Sequence, residues 1–543
     1  MKKKVISMLL ATAMTATVFA GCGSEEDAAP SSGGNTNQEA NDGGAGDAGD
    51  TEDAQGGEEQ GETPADDGET AEIVVGLLSF APVDSAVQDR IEEAVNEKML
   101  EMINVTADFQ WYDASTYATQ IPMMIQSGEQ LDAIMFTPVP AAGFSSFMSQ
   151  NQLMDISEYI DAYGADIKAV LGEEGLAATS KEGGIYGVGA NLCHYGGEAI
   201  VMKKDVLEEL DMVEKFENMT TWTELEEILT AAKDAGHPGV INSDAEGSCI
   251  SPQPYISGSD KLDEAYWVDI AGDGNQQIYI DPADDKVKCY YMNEDYKASL
   301  LRAGDWYTKG LIYKDASTTD EYADTMIKNG VGICMVNAQE FGFEGKLQAS
   351  IGSEAAVKFT GAMVQTATAS YTKFGFAVPV TAQEPEAAVK FINLLYSQNE
   401  VHDTLAWGVE GTDWVKAEDG SATYPDGVTA ETVGYHMNDF LYGDILTITP
   451  WEDADLREQQ AAKNTEVKAS KYIGFSIDNT KVANQVTACQ NVTNEYKPML
   501  SSGVYGAETE AKYQEYLTAL EGAGINDIIA EYQSQLDAWL ATQ

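Results

Sequence analysis

The run IVVGLLSF at residues 73–80 decides the reading of the chain. It is almost uninterrupted apolar sequence bounded by Ala81-Pro82, with the length and content of a strand buried on both faces. Residues 85–103 then place Val87, Ile91, Val95, Met99 and Met102 at helical spacing, so an amphipathic helix follows. Residues 105–111 (VTADFQW) alternate like a second strand, residues 117–127 read as a second helix, and residues 131–136 form a third apolar strand. Strand, helix, strand, helix, strand predicts α/β architecture, a parallel sheet with helices on both faces. Ligands of such sheets bind beyond the carboxyl ends of the strands. Phe80 and Asp84 after the first strand, and Phe136, Thr137 and Phe144 after the third, are therefore candidate ligand-binding residues.

Outward from that unit, residues 198–202 (EAIVM) form a strand, and residues 220–225 (TTWTEL) begin a helix capped by threonine hydroxyls. Residues 293–309 make a strong amphipathic helix ended by Gly310. Residues 331–336 and 374–380 are further strands, and Pro385 opens another helix. Residues 509–540 read as two helices separated by Gly522-Ala523-Gly524. Asn337 and Glu340 follow the 331–336 strand and join the binding candidates, whereas Trp222 and Trp306 have the helical apolar spacing of core residues.

The amino terminus carries an export pattern. Lys2, Lys3 and Lys4 precede an apolar stretch too short to span a bilayer, and Phe19-Ala20-Gly21-Cys22 resembles a lipobox. Residues 1–21 are read as a signal peptide and Cys22 as a lipidated mature terminus, whose two or three acyl chains suffice for durable anchoring. Residues 23–70 hold 15 acidic side chains, no basic or aromatic residue and no Val, Ile, Leu or Met. Such a segment cannot bury enough apolar area to offset its ordering entropy, so residues 22–70 are expected to be a disordered acidic linker.

Across 543 residues, 90 acidic against 31 basic side chains give a formal charge of −59. That balance excludes nucleic-acid binding through phosphate neutralisation and adhesion to anionic lipid through a basic face. The cysteines after Cys22 are Cys193, Cys249, Cys289, Cys334 and Cys489, with no Cys-x-x-Cys, so buried free thiols are expected over zinc or redox chemistry. No phosphate-binding Gly-x-x-x-x-Gly-Lys, no His-Glu-x-x-His and no Gly-x-Ser-x-Gly occurs. Only His194, His237, His402 and His436 are present, none closely spaced, so neither a metal cluster nor a nucleophile–histidine pair is expected. Asp269, Asp273 and Asn275 hint at a calcium loop, but Ile280 stands where its bidentate Glu belongs, and a solvated turn is the better reading.

The order of lipobox, acidic leash, βαβ start, Gly187 beside Tyr186, Thr-Trp-Thr-Glu-Leu at 221–225 and the glycine-bounded strand at 330–336 resembles an extracellular solute-binding protein of an ABC importer. Residues 385–396, 407–411, 474–476, 494–496 and 535–539 are similar to clostridial lipoproteins of this type with a carboxyl-terminal domain of unknown function. The resemblance implies two α/β lobes with chain crossings near 190–196, 362–372 and 440–450. Residues 71–190 plus about 370–440 would form one lobe, and about 191–369 plus 441–543 the other. It also implies a monomer with no cofactor that traps a small solute, by family neighbours an oligosaccharide, and hands it to ABC permease subunits. Asn191, His194 and Tyr195 at the first crossing, and Trp407, Glu410 and Trp414 in the carboxyl-terminal match, become candidates on that basis. A peptide receptor of the same fold, a secreted glycan hydrolase and a surface adhesin are the alternatives.

Overall fold

The computed structural model describes residues 68–543, apart from 81–82, 242–252, 272–276 and the single positions 320, 364, 431 and 452. The signal peptide, Cys22, nearly all of the acidic linker, Cys249 and most of the rejected calcium loop lie outside the described residues. β1 (Ala71–Ser79), α1 (Ser85–Ile103), β2 (Val105–Asp113), α2 (Ala114–Ser127) and β3 (Ala133–Phe136) follow in the order read from the sequence. β1 pairs in parallel with both β2 and β3. Gly375–Ala377 runs antiparallel to β3, and Val188–Gly189 closes the five-stranded sheet. The Asp113 carboxylate accepts from the Ser115 and Thr116 amides and so starts α2 three residues before the apolar period begins. Asp132, fully buried, accepts from the Val74 amide at 2.8 Å and from the Gln383 and Glu384 amides at 2.7 and 2.9 Å. One carboxylate thus ties β1 to the start of helix Pro385–Leu394.

A second, four-stranded sheet has Gly196–Lys203 between Ala355–Met363 and Cys334–Glu340, with Val240–Ile241 outside the latter. Alternation assigns its faces. Ile200, Met202, Cys334 and Val336 pack with Trp222 and Trp306, while Ala199, Val201 and Met335 pack with Met326 and Leu347. Trp222 follows a capping box of Thr221 and Glu224, and its ring lies 6.1 Å from that of Trp306 with the Arg302 guanidinium 4.8 Å above it. The sequence reading ended the 331–336 strand too soon. Asn337 to Glu340 continue it, because Ala338, Gln339 and Glu340 pair with Glu198, Gly197 and Gly196.

A third core joins the antiparallel strands Asp269–Ile270, Ile278–Asp281 and Lys286–Cys289 to the helices Ala483–Ser501, Thr509–Ala523 and Ile525–Leu540. Tyr290, Tyr291, Tyr296 and Tyr516 interlock there at 5.0–5.7 Å between ring centres. Cys193, Cys289, Cys334 and Cys489 are buried and free. Among the described residues no helix is long and apolar enough to cross a membrane.

The chain leaves the first sheet after Gly189 and enters the second at Gly196; it returns between Met363 and Gly375. Of the expected third crossing near 440–450, Leu441, Tyr442, Ile445 and Ile448, grouped from sequence with the second lobe, pack instead in the first core. The helix Leu456–Asn464 follows and braces the crossing. Its Asn464 side chain accepts from the His194 amide at 2.8 Å and donates to the Leu192 carbonyl at 2.9 Å. Arg457 donates to Asp439 at 2.8 Å, and Gln460 donates to the Phe341 carbonyl at 3.2 Å. Gly342, at φ +84°, leaves the space that Leu456 fills.

Three outcomes are expected from this packing. Trp222→Ala should cost about 3–5 kcal/mol of unfolding free energy in denaturant titration. Asn464→Ala, which strips partners from buried crossing backbone, should cost about 1–3 kcal/mol by the same measurement. The His194 ring packs at a tilt 4.9 Å from that of Tyr371, and burial lowers its pKa to about 4 from 6.5. Between those values the unfolded chain binds the proton and the fold does not, so this residue's contribution weakens as pH falls from about 6.5 towards 4. His194→Phe should flatten that part of the stability–pH profile.

Candidate functional site

The carboxyl ends of β1 and β3 are where a parallel sheet offers a crevice, and residues 435–440 lie against the first of them. The Ser79 hydroxyl meets the Met437 sulfur at 3.7 Å. The Met437 amide donates to the Ala406 carbonyl at 2.7 Å, and the Tyr435 hydroxyl donates to the Leu405 carbonyl at 2.6 Å. These bonds fix the segment on the end of helix Asn399–Trp407. Phe80, 53% exposed, has its ring 6.3 Å from Phe440, which in turn lies 5.2 Å from Phe374.

Beside this edge four rings pack as a cluster of tilted and edge-to-face contacts. Trp407 is its floor, 2% exposed, with its indole N–H donating to the Thr449 carbonyl at 2.9 Å. His436 and Trp451 lie 4.8 and 5.2 Å from Trp407 and 4.4 Å from each other. Tyr424 closes the group at 4.7 Å from Trp451 and 5.7 Å from His436. The short hairpin of Val415–Lys416 and Ala422–Thr423 delivers Tyr424, and the Ala422 amide docks it on the Pro450 carbonyl at 2.8 Å. Tyr424, His436 and Trp451 remain half-buried, so part of each is open to solvent. A partly exposed aromatic surface with hydrogen-bonding edges suits a ligand with both apolar faces and polar rims.

The neighbouring carboxylates are divided between the fold and the solvent. Asp403 accepts from the Thr449 amide and hydroxyl at 2.8 and 2.7 Å. Asp413 accepts from Arg90 at 2.6 Å and from the Val409 amide at 2.9 Å. Glu410 is exposed. At the crossing end of the second sheet, Tyr195 and Phe341 meet edge to face at 6.3 Å, with the Lys463 ammonium 4.7 Å from the Tyr195 ring centre. Lys463 is also held by Glu466 at 2.8 Å. Half-buried Asn337 ends in an amide oxygen that is buried without a hydrogen-bond partner.

The residues nominated from sequence therefore separate. Phe80, Trp407, Tyr195 and Glu410 lie at or beside partly open aromatic surface. Phe136 and Phe144 instead pack against each other at 5.2 Å in the first core, and Thr137 is 1% exposed with its amide on the Ala142 carbonyl. Asp84 is the exposed residue preceding α1, and its carbonyl accepts from the Val87 and Gln88 amides. Asn191 is committed to the crossing through Asp444 at 2.8 Å, His194 packs at a tilt against Tyr371, and Glu340 is the last residue of its strand. Trp414, 5% exposed, donates to the Gly408 carbonyl at 3.0 Å. Sequence reasoning missed Tyr424, His436, Phe440 and Trp451. Their segment has no helical or strand period, and the one available signal was the density of aromatic residues in it. Among the described residues no group of three or more His, Cys, Asp or Glu could hold a metal.

Residues 471–541 match a domain of unknown function, DUF3502. A carbohydrate ABC transporter substrate-binding protein of Streptococcus pneumoniae is 21% identical over 459 residues, 83% of this chain and 88% of the relative. The N-glycan transport solute binding protein NgtS of Streptococcus pneumoniae superimposes with a TM-score of 0.72 at 17% identity, over 87% of this chain and 99% of that one. The S. pneumoniae ABC-transporter substrate binding protein FusA, in complex with kestose, gives a TM-score of 0.58 at 16% identity, over 87% of this chain and 100% of that one. This chain has the two-domain α/β fold of such solute-binding proteins and carries DUF3502 at its carboxyl-terminal end.

Proposed function

We propose that this chain is the receptor component of an ABC importer, capturing an oligosaccharide between its two lobes and passing it to a membrane permease. The observation that carries the reading is the half-open aromatic cluster of Trp407, Tyr424, His436 and Trp451 beside the carboxyl edge of the first sheet. Sugar rings present C–H faces to such a surface and hydroxyls to its polar margin. The fold shared with N-glycan- and fructo-oligosaccharide-binding proteins supports the same ligand class. Because the rings touch one another at 4.4–5.7 Å, no gap remains among them for an ammonium group, which disfavours a cation cage.

On this reading residues 68–190 with about 374–451 form one lobe. Residues 196–363 with about 467–543 form the other, and Phe341 on it with Tyr195 at the crossing supply its aromatic contact. Ligand favours the closed form by its higher affinity for that form, which is the only way a ligand can shift such an equilibrium. The receptor releases its cargo unaltered. Asp403 and Asp413 are already spent on amides, a hydroxyl and Arg90, which supports binding over acid–base chemistry at the platform. Cys22 anchors the monomer outside the cell through its lipid, with residues 23–70 as the leash.

Titration calorimetry with manno-, fructo- and galacto-oligosaccharides should find a ligand. Trp451→Ala and Tyr424→Ala should each weaken it by about 10-fold, roughly 1.4 kcal/mol. Recovered glycan should have unchanged mass. Cleaved glycan, or wild-type affinity in both variants, would refute the reading.

A further inference from the structure

We infer that the site takes an uncharged oligosaccharide and discriminates against glycans bearing carboxylate or sulfate. The inference rests on the oligosaccharide reading above and names the class of chain within it. Recognition of an anionic sugar calls for cations, above all the planar fork of arginine, which meets a carboxylate or sulfate with two parallel N–H donors. The chain has three arginines, Arg90, Arg302 and Arg457, and the fold uses all of them. Arg90 binds Asp413 at 2.6 Å, and Asp413 is 2% exposed. Arg302 donates to the Ser257, Gly258 and Ser259 carbonyls at 2.9, 3.2 and 2.7 Å and lies over Trp222. Arg457 is buried and donates to Asp439 and Gln460 at 2.8 Å each and to the Ile448 carbonyl at 3.3 Å.

Charge around the platform points the same way. Residues 403–455, which supply all four rings of the cluster, carry 12 carboxylates and one basic residue, Lys416. Glu410, Asp426 and Asp453, each within three residues of one of these rings, are exposed. Two lysines border the aromatic surfaces. Lys463 is paired with Glu466, and exposed Lys373 lies 5.9 Å from the Phe374 ring centre. With Asp413 and Asp439 paired to Arg90 and Arg457, single ammonium groups at the margin do not offset a field set by the remaining acids, and like charges brought together at an interface are rejected. Carboxylate oxygens nevertheless accept well from neutral sugar hydroxyls, so the same groups that repel uronates hold an uncharged chain.

The test is calorimetry of the full mature chain at low salt with matched pairs. Manno-oligosaccharides are set against oligomannuronates, and galactose-terminated N-glycan fragments against their sialylated forms. The neutral member should bind at least about 10-fold tighter, and raising the salt should narrow the gap, since screening acts on the exposed carboxylates. Combining Glu410→Lys with Asp453→Lys should improve binding of the anionic member relative to the neutral one. An anionic glycan that binds as tightly as its neutral partner overturns the inference and leaves the oligosaccharide reading standing. Binding of neither member of any pair overturns both.

Discussion

The buried pair of Arg457 and Asp439 is the constraint on which the arrangement of this molecule turns. Asp439 lies among residues packed at the first sheet, and Arg457 opens a nine-residue helix that braces the chain crossing. From that guanidinium the contacts run through Gln460 to the Phe341 carbonyl, just past the end of a second-sheet strand. Asn464, at the other end of the helix, holds the backbone of the crossing itself. Breaking a buried ion pair commonly costs about 3–5 kcal/mol, because the remaining charge keeps its desolvation penalty. Here the cost would fall where the two sheets are joined.

The aromatic cluster inherits its form from the same region. The stretch from Ala422 to Trp451 contains little regular structure, yet it is pinned at many points. Ala422 docks on Pro450, Met437 on Ala406, Tyr435 on Leu405, and Ile445 on Asn191. Irregular backbone can be rigid when its amides and carbonyls are paired this densely, and a rigid support lets aromatic rings hold a fixed cluster. The polar groups that do this pinning, Asp403 and Asp413 among them, are consumed by it. The outer aromatic faces and the carboxylates of Glu410, Asp426 and Asp453 are left open to solvent.

The domain of unknown function takes on a definite structural part in this setting. Its helices share a core with the three-stranded antiparallel sheet and with helix Glu294–Thr308, through Tyr291, Tyr296, Tyr513 and Tyr516. The Tyr513 hydroxyl donates to the Tyr291 carbonyl at 2.9 Å across that boundary. Residues 471–541 are thus integrated into the packing of the segment that precedes them.

What the sequence alone determined is the local and periodic part of this protein. The βαβ start, α1 with its exact bounds, the capped helix at Trp222 and the two closing helices were legible because strand and helix periods are written into neighbouring residues. The burial of Trp222 and Trp306 was legible for the same reason. Tertiary structure decided the rest. Phe136, Phe144 and Phe80 look alike beside strand ends, but the first two face each other in the core and only Phe80 keeps half its surface in solvent. The extension of the strand through Glu340 depended on pairing with Gly196, which lies far away in sequence. The platform itself unites Trp407, Tyr424, His436 and Trp451 from a helix end, a hairpin end and loops. No period in one dimension encodes that meeting, because it is set by long-range hydrogen bonds that exist only once the chain has folded.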